Sequence, residues 1–296
     1  MRNRSTAVVA ALALIGVLGI VVVLGSLHDK LPVLPLFGRA CVVRADGTVT
    51  LNSEQMANAA TIAAVGIRRD MPDRAIVVAL ATAYQESHLE NLDDGDRDSV
   101  GLFQQRPSQG WGTREEIMDP RHAAGSFYHT LKRVKGWQSM RVTDAAQKVQ
   151  RSAYPNAYEK WADEAAVLTT ALIGHATGAV ACTVTGDPVV RGEAAASGLA
   201  QGLRLDWGKA LNARTTRQTG AATRSEPGSA AGLTLRVDDT RTGWRYAHWL
   251  VSHAGENGVE RVRFGDLEWH APAGKWERAA DDRAAGGARV VAEVFR

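Results

Sequence analysis

The feature that most limits how this chain can fold is its start. Thr6 to Leu27 carries no charged residue. That is about 22 residues, enough for a helix to cross roughly 30 Å of hydrocarbon. Arg2 and Arg4 precede it, so the positive-inside rule predicts a cytoplasmic tail (1–5), a transmembrane anchor (6–27) and everything later outside. The expected localisation is the cell membrane, single pass, with secretion after signal cleavage as the alternative. A signal peptide would have a shorter apolar core and a small-x-small site, whereas Ser26-Leu-His-Asp-Lys30 follows here. Residues 28–40, with Pro32 and Pro35 against helix, read as an extended spacer.

The chain has 296 residues, room for two domains and some connecting chain. At 45% hydrophobic and 23% charged it is not disordered as a whole. A net charge of +3 argues against a nucleic-acid partner, which a concentrated basic face would serve. Two cysteines exclude a disulfide-rich scaffold and a four-cysteine zinc site. Cys41 and Cys182 bracket the first domain, and in the predicted topology they lie where disulfides persist. A bridge would close a loop of about 140 residues; two free buried thiols are the alternative.

Residues 41–182 read as mainly α. Cys41–Leu51 alternates around Asp46-Gly47, a hairpin signal. Asn52 with Gln55 forms a capping box for a helix to about Arg69. Pro72 opens a second helix to about Leu89. Val100–Gln105 reads as a short strand, and 120–134, 143–152 and 155–172 as helices. Residues 183–229, rich in Gly, Ala, Ser, Thr and Arg, read as a flexible basic linker. Residues 230–296 read as a small α+β domain: strand 233–237, helix 242–257, and strands 259–264 and 290–295. The expected architecture is a mainly α domain (α+β) behind a transmembrane helix, plus a small C-terminal α+β domain.

The informative chemistry lies in Ala79-Leu-Ala-Thr-Ala-Tyr-Gln-Glu86-Ser87. Glu86 falls near the end of a predicted helix, and its neighbours one and two turns back, Ala83, Thr82 and Ala79, are small. Small neighbours leave room for a ligand and leave the carboxyl partly desolvated. The negative end of the helix dipole is close as well. Both effects disfavour ionisation, and a carboxyl still protonated near neutrality can act as a general acid. A helix-end surface glutamate is the alternative on these facts alone.

Gln85-Glu-Ser87 is followed, after Gly95-Asp-Arg-Asp-Ser99, by Val100-Gly-Leu-Phe-Gln-Gln-Arg-Pro-Ser-Gln-Gly-Trp-Gly112. This resembles the catalytic motifs of soluble lytic transglycosylases and goose-type lysozymes, and above all the lysozyme-like domain of actinobacterial cell-wall proteins. The resemblance covers about residues 50–175 and implies a lysozyme-like fold. It makes Glu86 the general acid/base and places Ser87, Gln104 and Gln105 in a glycan-binding cleft. Phe103 stands where the family usually has Met. Tyr154 and Tyr158, in Ser152-Ala-Tyr-Pro-Asn-Ala-Tyr158, stand where the family places an Asn/Tyr cluster facing the glutamate, although the usual Ala-Tyr-Asn-Ala-Gly order is absent.

The resemblance implies an enzyme that cleaves peptidoglycan between N-acetylmuramic acid and N-acetylglucosamine. In a lytic transglycosylase one carboxyl suffices, whereas inverting hydrolysis needs a second one about 6.5–9.5 Å away. Asp96 and Asp98 are the candidates for it. The Asp94-x-Asp-x-Asp98 run fails as a hand-type calcium loop, because Ser99 and Gln105 stand where Gly and Glu are required. No metal and no cofactor are expected. Trp111, Trp137 and Trp161 could stack on sugars or pack in the core.

Residues 230–296, with Thr242-Gly-Trp-Arg-Tyr-Ala-His-Trp249, resemble a domain similar to zinc D-Ala-D-Ala carboxypeptidases. The ligands of that family are missing: no His precedes Asp238-Asp239, and none stands in Arg289–Phe295. The expected partners are peptidoglycan glycan strands and, through residues 6–27, the cytoplasmic membrane. The alternative function is a non-catalytic protein that grips peptidoglycan in a lysozyme-like cleft.

Overall fold

The computed structural model describes residues 40–208, 213–217, 231–279 and 288–296. The chain opens on a hairpin, β1 (Ala40–Arg44) and β2 (Thr48–Asn52), joined through Asp46-Gly47. Asn52 then caps α1 (Ser53–Arg68): its Oδ1 accepts from Gln55 N, and Gln55 Oε1 accepts from Asn52 N, both at 2.9 Å. Two reciprocal bonds satisfy backbone donors that a helix start leaves over. Pro72 precedes α2 (Asp73–Ser87), which is buried along most of its length. Around α1 and α2 pack α3 (Pro120–Arg133), α4 (Val142–Gln150) and α5 (Ala162–Leu172). Gly66 is what lets α1 and α3 close up. A Cβ there would stand 2.7 Å from the Tyr128 hydroxyl, which donates to the Ile62 carbonyl at 3.0 Å.

After α5 the chain returns to the first hairpin. β3 (Val180–Cys182) pairs antiparallel with β1 and sets Cys182 opposite Cys41. The two form a disulfide across a sequence separation of 141. Closing so long a loop removes about 3–5 kcal/mol of unfolded-chain entropy in the entropic account.

α6 (Gly192–Trp207) follows, then β4 (Ala213–Arg217) and β5 (Ala231–Arg236). Next come α7 (Thr240–Ser252), a short helical turn at Ala254–Asn257, β6 (Val259–Phe264), β7 (Leu267–His270), β8 (Lys275–Arg278) and β9 (Arg289–Val294). Among the described residues the strands form two sheets, ordered β2-β1-β3 and β4-β5-β9-β6-β7-β8, with every pairing antiparallel.

Several expectations are corrected by this architecture. The chain is α+β rather than mainly α, because β3, β4, β7 and β8 add strands that composition concealed. Among the described residues no helix is long and apolar enough to cross a membrane. The proposed anchor, residues 6–27, lies outside the described residues, as do the tail 1–5 and most of the spacer 28–40. The single-pass membrane placement is therefore not supported. Within the stretch read as a linker, 192–207 is a helix that buries Ala195, Ala196, Leu199, Ala200, Leu203 and Trp207; the remainder at 209–212 and 218–229 lies outside the described residues. The expected strand 100–105 is a tight turn closed by one bridge between Val100 and Gln105. Positive φ at Gly101 (78°) and Gln104 (46°) turns the backbone there.

The described residues form one compact unit. Two buried polar contacts join its N- and C-terminal parts. Asp206, fully buried on α6, accepts from Thr61 Oγ1 of α1 (2.9 Å) and Trp249 Nε1 of α7 (2.7 Å) and pairs with Arg121 of α3. His248 of α7 takes the Ala179 N–H on Nε2 (2.9 Å) and lies 2.8 Å through Nδ1 from the Ala171 carbonyl. Burial pushes the His248 imidazole down to about 4. The unfolded chain therefore binds a proton that the folded chain refuses between pH 6.5 and 4. Stability is highest above that window and falls by about 3 kcal/mol as the pH drops through it. Urea unfolding at pH 7.5 and 4.5 should show this loss in the wild type. It should be largely absent in His248→Gln, whose amide offers one donor and one acceptor without titrating.

Candidate active site around Glu86

α2 ends without glycine. His88 and Leu89 take left-handed conformations (φ 53° and 65°), and the His88 and Leu89 N–H groups return to the carbonyls of Tyr84 and Ala83. This places Glu86 in the last helical turn, half-buried, where the chain turns away. Ser87 beside it is buried. Its hydroxyl donates to Leu102 O at 2.8 Å and approaches Ala83 O at 3.1 Å, pinning the 100–105 turn to the helix end.

Two donors converge on Glu86 Oε1. The Tyr158 hydroxyl lies 2.7 Å away and Gln150 Nε2 3.1 Å away. Gln150 Nε2 also donates to the Phe103 carbonyl at 2.7 Å, and Phe103 is buried in a stack on Phe127. The 100–105 turn, the end of α4 and the loop before α5 thus meet at one carboxylate oxygen. Among the described residues no donor is placed on Oε2. Burial pushes the Glu86 carboxyl above the usual glutamate range, and the two hydrogen bonds pull it partly back. Burial and the neighbouring carboxylate both raise the Tyr158 hydroxyl, which therefore stays protonated as a donor.

The remaining candidates are distributed differently. Tyr158 is fully buried against Glu86, while Tyr154 is 75% exposed. Gln104 braces its own turn, accepting from Ser99 Oγ at 3.0 Å and lying 3.3 Å from Gly101 O. Gln105 is buried and donates to the Ala123 carbonyl of α3 at 3.2 Å, so it holds the turn to the helix rather than lining a cleft. Ser87 is likewise taken up by backbone carbonyls. The small side of α2 is packed: Ala79, Thr82 and Ala83 are buried in the core instead of opening space for a ligand.

Neither aspartate put forward as a second carboxylate is bonded to Glu86 or its donors. Asp98 accepts from Arg106 Nε (2.8 Å), Ser108 N (2.8 Å) and Ser108 Oγ (3.0 Å). Those bonds hold its carboxyl well below the usual aspartate range. The Asp96 side chain points into solvent, near Arg97. Among the described residues no group of three or more His, Cys, Asp or Glu side chains is placed to hold a metal ion. Trp137 is buried, and Trp161 lies flat on Tyr84 with its indole N–H on Gln85 Oε1 (3.1 Å). Trp111 is half-exposed at the edge of a cavity of ≈ 430 Å³ that Gln150 also lines.

No protein-family model matches this chain, and no curated protein matches it in sequence.

Gln150 is the site residue that sequence reasoning missed. Its single signal was position: it closes the helix that leads into Ser152–Tyr158. The arrangement makes a pH prediction. A reaction that needs protonated Glu86 should slow as pH rises through the raised Glu86 value. Tyr158→Phe removes a bond that favours the carboxylate, so Glu86 should titrate higher. Carboxyl carbon-13 NMR of glutamate-labelled protein should then show the Glu86 titration at higher pH in the variant than in the wild type. A shift to lower pH would contradict this placement of the Tyr158 hydroxyl.

Proposed function

We propose that this chain is a peptidoglycan-cleaving enzyme of the lytic transglycosylase type, with Glu86 as its general acid and base. The observation that carries the reading is the half-buried Glu86 carboxyl, with two protein donors on Oε1 and, among the described residues, none on Oε2. Oε2 is left to hold and deliver a proton. The sequence resemblance at residues 85–87 and 99–112 supports the same residue and supplies the substrate class.

In this reading Glu86 gives its proton to the glycosidic oxygen between N-acetylmuramic acid and N-acetylglucosamine. The C1–O bond breaks and the N-acetylglucosamine hydroxyl leaves. Glu86, now ionised, is stabilised by Tyr158 and Gln150. It takes the proton of the muramoyl 6-hydroxyl as that oxygen bonds to C1. A 1,6-anhydro ring forms, and Glu86 ends protonated as it began. No water is consumed, so no second carboxylate is needed to position one. The engagement of Asp98 by Arg106 and Ser108 favours this route over inverting hydrolysis.

Positioned general acid/base catalysis contributes about 100-fold to 10,000-fold. Glu86→Gln should therefore reduce soluble release from purified peptidoglycan by at least about 100-fold, while the variant still sediments with it. Equal release by both proteins would remove Glu86 from the mechanism. Sedimentation with no release by the wild type would instead indicate a binding protein.

A further inference from the structure

α3 presents a polar stripe at helical spacing, His122, Ser126, Thr130 and Arg133, to an open groove. Two cavities, of ≈ 430 and ≈ 420 Å³, share Gly110, Trp111, Thr130 and Arg133 and so run together as one groove. Three arginines line it, Arg69, Arg133 and Arg151, and among the described residues no aspartate or glutamate does. Arg69 lies against α3 at Gly125, where a Cβ would stand 2.6 Å from Nη2; the glycine makes the space that the guanidinium occupies. None of the three arginines is ion-paired with a carboxylate among the described residues.

The groove also has a defined relation to Glu86. Gln150 lines it and donates to Glu86 Oε1 at 3.1 Å, so the groove begins one side chain from the carboxyl. A polymer cut at Glu86 would lay the substituents of its neighbouring units there. Guanidinium groups bind carboxylates through paired, charge-assisted hydrogen bonds, and an indole face packs on a sugar ring or a peptide plane. We propose that this groove binds the carboxylates of the peptide substituents on a glycan strand, with Arg133 and Arg151 as the principal contacts. The inference rests on the reading of Glu86 as the residue that cleaves peptidoglycan, and it adds a selectivity: strands bearing free peptide carboxylates are preferred to bare or neutralised ones.

The test is isothermal titration calorimetry on the full chain carrying Glu86→Gln, which prevents turnover. The probes are a soluble N-acetylglucosaminyl-N-acetylmuramoyl tetrapeptide with free carboxylates and its methyl ester. The acid should bind about tenfold more tightly than the ester, the size expected for hydrogen bonds to a charged group. Adding Arg133→Gln and Arg151→Gln should close that gap. Both arginines are exposed, so the circular dichroism and Tm of the variant should be unchanged. Equal binding of acid and ester, or a gap that survives the double substitution, overturns the proposal. Stronger competition by a short oligothymidylate than by the acid probe also overturns it and makes the groove a phosphodiester site. If wild type releases material from peptidoglycan yet binding shows no charge preference, the groove assignment alone fails. If neither probe binds and wild type releases nothing, the cleavage reading fails and this inference with it.

Discussion

A carboxyl group at the end of a buried helix has to obtain its hydrogen-bond donors from the chain packed around it. Much of the first half of this structure follows from that constraint. α2 is buried along most of its length, and Glu86 emerges only in its last turn. The Tyr158 hydroxyl and the Gln150 amide come from different segments to meet the same oxygen. Gln150 is fixed in turn by the Phe103 carbonyl, and the 100–105 turn by the Ser87 hydroxyl and the Gln105 amide. Burial raises the carboxyl, and the two donors limit how far. The outcome is a group that can carry a proton and also survive its loss, as a single acid/base residue must.

The C-terminal residues belong to the same structural problem. α7 packs on α1, α5 and β3, and its His248 bonds backbone groups on either side of the α5–β3 connection. Arg241 and Arg245 both donate to the Ile173 carbonyl at the end of α5, and Arg241 also reaches Asp73 in the first turn of α2. Asp206 draws α1, α3, α6 and α7 onto one buried carboxylate. A buried charge with several partners contributes less to net stability than to a defined arrangement, because losing Arg121 would leave the carboxylate without its guanidinium partner. Both ends of the helix that carries Glu86 therefore depend on residues far along the chain.

What the sequence made legible follows from how local each signal was. The Asn52–Gln55 capping box, the Asp46-Gly47 hairpin and the end of α2 near Glu86 are short-range features, and all are present. The disulfide was legible because two cysteines allow one pairing. α6 was hidden by its composition: three of its seven buried residues are alanine and one is an aspartate, within a Gly- and Ala-rich stretch. β3 is three residues long, too short for any alternation to register. The Gln105 contact was not legible, because residue type cannot tell an amide that reaches a ligand from one that reaches the Ala123 carbonyl. Gln150 was missed for the converse reason: its contact with Glu86 spans 64 residues and leaves no local mark.

The central claim is that one carboxyl, Glu86, does both proton transfers without a second carboxylate to hold water. Mass spectrometry of the soluble products from purified peptidoglycan tests it most directly. The account predicts fragments ending in 1,6-anhydro-muramic acid, about 18 Da lighter than their reducing-end counterparts, one water per cleavage. Reducing-end products alone would contradict it. They would mean that water attacks C1 and that another group in this site activates it.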